Sequence, residues 1–339
     1  MIASRTNRTS VRRSSRAGFT LAELMIVATL MGIIGSLLTA LLVRQQRFHR
    51  AVSAIADARA RMRDIETILP TDLRGISTVG GDLYAISDTS IQFRAFTGAS
   101  VLCAYVSGQP TKIELPPKSM AIPVGASNQV GTVLTAWINA PAVGDQVFLY
   151  NDSTSAGNAD DSWTNFTVMD TASSAAFAPN SCLSSNATPL ITAADDASPR
   201  YRLTLSAAPT QAQINVGAPI RIAREVRYSG YIGADYQWYV GYQTCTPSGT
   251  AAPGTCGSRE VLAGPILPIT ADTTTSGLFF VFYDQYGTRR TSLTPADTIA
   301  RISVGVRTSA ESLRRATGSN ATITGGDSLR FVVGIRNRI

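Results

Sequence analysis

The chain has 339 residues, of which 44% are apolar and 16% charged, with one histidine and four cysteines. A single histidine leaves most acid–base templates without a second member, and GxSxG, Walker and dinucleotide patterns are missing, so an enzyme is not expected. Lys and Arg number 30 against 23 Asp and Glu, but Arg5, Arg8, Arg12, Arg13 and Arg16 fall in the first 18 residues; beyond them 25 bases face 23 acids, a balance that argues against nucleic acid as a partner.

After Gly18 the chain turns apolar and stays so to Val43, with Glu23 as its only charge. A run of about 25 residues can span a hydrocarbon core of ~30 Å, whereas a secretory signal has a shorter run followed by a small-residue cleavage site. Here the small residue, Gly18, comes before the run, and Arg44-Gln45-Gln46-Arg47 follows it. An acid at the centre of a spanning helix costs roughly 2.5–3.5 kcal/mol, and less near its end. An isolated Glu23, five residues past a glycine, therefore asks for a functional reason.

The stretch Gly18-Phe19-Thr20-Leu21-Ala22-Glu23-Leu24 resembles the amino terminus of type IV pilins and of the pseudopilins of type II secretion. The resemblance implies a prepilin leader at 1–18, cleavage between Gly18 and Phe19, N-methylation of Phe19 and an assembly role for Glu23. Ala22 departs from the bulkier aliphatic residue more often found there, which touches packing and not processing. The implied partners are the prepilin peptidase/methyltransferase, other minor pilins and the major pilin, and the inner-membrane assembly platform. The implied location is the bacterial inner membrane, single-pass with a periplasmic head, and then a pilus or pseudopilus.

Residues 19–69 read as one helix, about 75 Å long at ~1.5 Å per residue, with 19–43 as its transmembrane part and Pro70 as its end. Beyond Val43 an apolar stripe runs through Phe48, Val52, Ile55, Met62, Ile65 and Leu69, the face expected to pack on a sheet. Ala28, Gly32, Ser36 and Ala40 recur every four residues in the membrane half, a spacing that lets helices approach closely. His49, between Phe48 and Arg50, reads as an interfacial side chain.

After Pro70 the pattern changes to period two. Region 70–119 predicts strands at 83–87, 90–96 and 100–106. Region 120–218 reads as a β insertion, with strands through VLTAWIN, QVFLYND, SWTNFTVMD and YRLTLSA and a turn at Ala142-Val143-Gly144-Asp145. Region 219–339 reads as a C-terminal antiparallel sheet, with a hairpin turning at Asp284-Gln285-Tyr286-Gly287. In it, Ala300, Ile302, Val304 and Val306 face inward, as do Leu329, Phe331, Val333 and Ile335, while Arg301, Arg307, Arg330 and Arg336 line a wet face. The fold class is therefore α+β: a long N-terminal helix, half membrane-spanning and half amphipathic, on an antiparallel β-sheet head with an inserted small β-domain.

An even number of cysteines in an exported region predicts two disulfides. Cys245 with Cys256 would staple the Pro/Gly/Thr loop between them, and Cys103 with Cys182 follows by elimination. No metal ligand spacing is present and no cofactor is expected; the acidic loop Asn151-Asp152 to Asp160-Asp161 fits no EF-hand and reads as solvated.

The C-terminal run (EVRYS, WYVGY, VLAGPI, GLFFVFYDQYG, RISVGV, GIRNR) resembles PilW/PulJ-type minor pilins. The resemblance implies a low-abundance subunit that helps prime, assemble or cap a pilus at its tip. Two alternatives stand beside it: a J-type minor pseudopilin of a type II secretion system, and, from a different class, a tip adhesin or DNA-binding pilin using the arginine-bearing strands.

Overall fold

The computed structural model describes residues 20–77, 81–117, 121–124, 129–152, 161–174, 177, 199–211, 213–247, 253–293, 299–308 and 328–335. The chain forms two compact units, one holding the sequence up to Ile55 and one beginning at Ala56. A single helix, α1, runs Leu21–Arg74.

α1 does not stop at Pro70, as the sequence predicts, but carries it inside the last turn. Proline there removes one helical hydrogen bond and costs about 3 kcal/mol. Leu73 and Ile76 beyond it are fully buried, at about 1.5–3 kcal/mol apiece, which is enough to hold the turn in place. The predicted stripe also needs correction. Met62, Ile65 and Leu69 are buried, continued by Leu73, but Phe48 and Val52 are exposed. The packed face thus starts near Met62.

Eighteen strands follow among the described residues: β1 (Leu83–Ser87), β2 (Ser90–Val101), β3 (Ala104–Tyr105), β4 (Lys112–Leu115), β5 (Ala121–Val124), β6 (Gln129–Val133), β7 (Ala136–Trp137), β8 (Gln146–Asn151), β9 (Ser162–Ser174), β10 (Arg200–Leu205), β11 (Pro219–Ile232), β12 (Trp238–Thr246), β13 (Thr255–Cys256), β14 (Glu260–Ile266), β15 (Leu278–Asp284), β16 (Arg289–Arg290), β17 (Ile299–Arg307) and β18 (Ser328–Gly334). The larger sheet has the order β1-β2-β11-β8-β9-β10-β4-β3, with β12, β13, β14 and β7 branching from it; the smaller has the order β16-β15-β17-β18. The strand pairs in both sheets are antiparallel.

β2 is one strand where two were expected. Thr97 is the extra residue of a bulge, between the pairs Ile222↔Gly98 and Ala223↔Phe96. Gly98 is no turn residue: a Cβ there would strike the Cβ of Trp137 and come within 2.9 Å of the Ala136 carbonyl, so the glycine lets β7 lie against β2. The stretch read as the strand VLTAWIN is broken into the last residue of β6, Val133, and the two-residue β7, because Thr135 turns aside to bond the Pro116 carbonyl at 2.9 Å and the Ser100 hydroxyl at 2.8 Å.

β11 joins two cores. One of its edges pairs with β2 over most of its length; the other pairs with β8 near its start and with β12 near its end. Its later residues Val226 and Tyr228 pack with Met62, Ile65, Leu69 and Leu73 of α1 and with Phe280, Ile302 and Val304 of the smaller sheet. Its earlier residues Ile220 and Ile222 pack into a second core with Leu102, Ile113, Val147, Phe166 and Leu203.

The C-terminal pattern matches the sequence reading: Ala300, Ile302, Val304 and Val306 are buried, and so are Val333 and Ile335. The hairpin turns at Asp284–Gly287, with the Gly287 N–H on the Asp284 carbonyl and Gly287 at φ 82°. The outer face is drier than expected, because Ser303 is buried and the Phe279 ring lies where a Gly305 side chain would go. Arg336 lies outside the described residues.

Candidate functional site

The described chain begins at Thr20, so Gly18 and Phe19 fall outside it. Thr20 caps α1. Its hydroxyl accepts the Glu23 N–H at 3.3 Å, and Glu23 Oε2 accepts the Thr20 N–H and hydroxyl, both at 3.0 Å. This is a capping box, which satisfies helix-end donors reciprocally and sets an anion at the positive end of the helix. The sequence reading treated Glu23 as isolated; the Thr-x-x-Glu spacing was the signal that named its local partner. Oε2 carries these bonds, and Oε1 takes no hydrogen bond from the described residues.

The next turns are apolar on all sides. Leu21, Leu24, Met25, Ile26 and Val27 point in every direction around the axis, and each is at least 50% exposed. A 30-residue span, Leu21–Arg50, is long and apolar enough to cross a membrane, and its described residues are exposed. A helix greasy on every face needs lipid or other helices around it. The polar side chains between Leu21 and Val43 suit such a setting. Besides Glu23 they are Thr29, Ser36 and Thr39, which donate to the carbonyls of Ile26, Ile33 and Gly35 at 2.9, 2.8 and 2.8 Å. Each hydroxyl is thus satisfied without water. Gly32, in the small-residue row with Ala28, Ser36 and Ala40, has open space where a side chain would stand, which leaves the backbone accessible to a neighbouring helix.

Six of the described arginines in the head are committed to buried acids. Asp82 pairs with Arg221 at 2.6 Å and Arg94 at 3.6 Å, Glu114 with Arg200 at 3.1 Å and Arg202 at 2.9 Å, and Asp145 with Arg224 at 2.6 Å. Arg289 and Arg290 pair with Asp88 and Asp284. Sequence reasoning saw the arginines and missed most of these partners, because Arg224, Arg202 and Arg221 lie 79, 88 and 139 positions from their carboxylates, although Arg290 lies only 6 from Asp284. Arg301, Arg307 and Arg330 have no carboxylate at ion-pair distance among the described residues. Their guanidiniums lie over Tyr283 (Arg301, 4.3 Å) and Phe279 (Arg307, 5.2 Å; Arg330, 6.0 Å).

A cavity of about 50 Å³ is lined by the polar Asp72, Thr97, Asn139, Arg224 and Tyr242 and by the apolar Ala95, Phe96, Ile138 and Val226. Asp72 accepts the Tyr228 hydroxyl at 2.5 Å; burial raises its carboxyl above the usual range, and that hydrogen bond opposes the shift. His49 touches Phe48 edge-on, with ring centroids 6.3 Å apart. No group of three metal-ligating side chains occurs among the described residues; Asp160 lies outside them.

Cys245 and Cys256 are disulfide-bonded and sit directly opposite each other on β12 and β13. The loop they close returns over the sheet, where the Gly254 N–H donates to Glu225 at 2.7 Å and the Gly254 carbonyl accepts Gln92 at 3.0 Å. Cys103 is also disulfide-bonded; Cys182 lies outside the described residues.

Residues 13–39 match the family described as the prokaryotic N-terminal methylation motif. No curated protein and no solved structure matches the chain. The motif implies processing by a prepilin peptidase and assembly with other pilins in general. Its family is generally structural, and with the apolar helix it is consistent with membrane anchoring. With the motif matched at residues 13–39, an exposed apolar helix and an antiparallel β head, the chain carries the N-terminal signature of the type IV pilin and pseudopilin superfamily.

Proposed function

We propose that the chain is a PilW/PulJ-type minor type IV pilin that helps prime, assemble or cap a pilus at its tip. One observation supports this reading above the rest: a span headed by the methylation motif starts apolar on every face and is exposed throughout its described residues. Stored, that span crosses the inner membrane with the head in the periplasm. Assembled, the same surface packs against neighbouring helices, so it passes from lipid to protein without meeting water. The row from Ala28 to Ala40 gives those helices a close approach.

In this reading the peptidase cuts after Gly18 and methylates the new amine on Phe19. Glu23 then receives the amine of the adjacent subunit at Oε1, while Oε2 stays with Thr20. A buried ion pair of this kind serves register more than net stability, since a helix at the wrong axial offset leaves the acid unpaired. The head is built from a pilin-like region at 70–119, an insertion at 120–218 and a C-terminal sheet at 219–339, and Cys103 pairs with Cys182.

The test is Glu23→Ala in cells, with crosslinking of the head to co-purified subunits. The variant should still enter the membrane and still be cleaved, yet be depleted from filaments by tenfold or more, about 1.4 kcal/mol of assembly free energy. Unchanged filament incorporation would refute the pairing role. Mass spectrometry should find a chain starting at methylated Phe19. Crosslinks to secretion-system subunits in place of pilins would move the assignment to a J-type pseudopilin.

A further inference from the structure

We infer that the free edge of β18 receives a β-strand from a partner protein, a strand with acidic side chains on one face, which extends the smaller sheet. This rests on the assembly role proposed above and adds to it a second docking element, away from the helix.

Three observations carry the inference. The first is the edge. β18 closes the order β16-β15-β17-β18, and among the described residues it pairs on one side only, with β17. The Ile335 N–H donates to Ala300 at 2.9 Å, on the β17 side. Antiparallel ladders alternate, so Leu329, Phe331 and Val333 also turn their backbone groups towards β17, while Arg330 and Val332 turn theirs outward. An edge of this sort templates another strand, and proteins that avoid such pairing blunt it with a proline or a bulge. The β17–β18 register runs unbroken from Arg307↔Ser328 to Arg301↔Gly334, and β18 contains no proline.

The second is charge. The outer face of β15, β17 and β18 carries Tyr283, Arg301, Ser303, Arg307, Arg330 and Val332, and no acid lies on these strands' outer positions. Arg301 and Arg330 are exposed and stacked over rings. A guanidinium held flat on a ring keeps its N–H edges available to a carboxylate.

The third is spacing. The cross-strand rows are Phe279–Gly305–Arg330, Val281–Ser303–Val332 and Tyr283–Arg301–Gly334. An added strand puts one residue opposite each end of these rows. An acid fits opposite Arg330 and an apolar residue opposite Val332, which is 55% exposed. Gly334 has open space where a side chain would be, so an acid opposite it can reach over to Arg301. The partner strand therefore reads acid–x–apolar–x–acid. A nucleic acid would use the arginines but leave the outward amides of Arg330 and Val332 without matching partners.

The probe is a peptide with the core Glu-Thr-Val-Thr-Glu, added to the full chain in detergent and followed by binding and by amide hydrogen exchange. Slowed exchange at Arg330 and Val332, with binding about tenfold weaker in Val332→Pro, supports the inference. That substitution removes only an outward N–H, the one place a strand proline is tolerated. Arg301→Glu with Arg330→Glu gives a second variant that leaves the backbone ladder alone, and it too should weaken binding at least tenfold. No peptide binding, or binding that survives both variants, overturns the inference. So does preferential binding of a DNA oligonucleotide that is lost in the arginine variant and kept in Val332→Pro. These outcomes are separate from the Glu23→Ala result, which reports on the helix alone.

Discussion

Glu114→Ala should cost about 3–5 kcal/mol of stability, and the reason lies in one arginine. Glu114 is fully buried on β4 and holds Arg200 at 3.1 Å and Arg202 at 2.9 Å. The two cations differ in what they can do when the acid goes. The Arg202 side chain is 18% exposed and stacks on the Phe177 ring, so it can turn towards water. The Arg200 side chain is 1% exposed, and its known alternative is the Phe177 carbonyl. The variant therefore takes the Glu114 carboxylate away from a buried cation, which is the expensive way to break a pair. Removing both charges is different. Glu114→Leu with Arg200→Met should lie within about 1 kcal/mol of the parent or exceed its stability, because an apolar replacement of a buried pair is often neutral or better. Urea unfolding of the full chain in detergent, followed by fluorescence of Trp137 in the same core, compares the parent with the single and the double variant. A loss below about 1 kcal/mol in the single variant, the size of an exposed pair, would refute the reasoning. So would a double variant no more stable than the single.

Three further predictions concern the head. Asp72 has a raised carboxyl pKa, so the folded state keeps a proton that the unfolded chain has already released. Stability should thus fall as pH rises from the ordinary value of 3.8 through the raised one, and Asp72→Asn should abolish that slope in thermal unfolding measured across this window. Gly98→Val forces a side chain into Trp137 and the Ala136 carbonyl; a loss of about 1–3 kcal/mol with a shifted Trp137 emission is expected, and an unchanged spectrum would contradict the packing. Replacing Cys245 and Cys256 by serine opens a loop with a sequence separation of 11, for which chain entropy gives about 3 kcal/mol; denaturant titration should show that loss, together with faster exchange of the Gly254 amide that caps Glu225.

Much of the fold could be read along the chain. A greasy run, a lone acid and a polar continuation fix a long helix. Period-two alternation gives β17 and β18 their faces, and Asp284–Gly287 its turn, because these depend on neighbours in sequence. Cys245 and Cys256 were legible because a short, turn-rich loop brings them together. Pro70, and Gly98 in the gap predicted between the strands 90–96 and 100–106, mark the two breaks that the structure does not make there, and for a common reason. Both are local breakers, and both sit where burial overrides local preference: Pro70 in a turn held by Leu73 and Ile76, and Gly98 under Trp137.

The amino-acid sequence by itself determined the membrane-grade helix, the Thr20–Glu23 cap at its head and the processing motif around it, since each is written within a few consecutive residues. Only the tertiary structure decided which arginines are structural and which are open, and that β18 is an edge. Arg202 lies 88 positions from Glu114 and Arg221 lies 139 from Asp82. Alternation tells a strand which face to bury but not which strand lies beside it, and that order depends on burying a shared core across the whole chain.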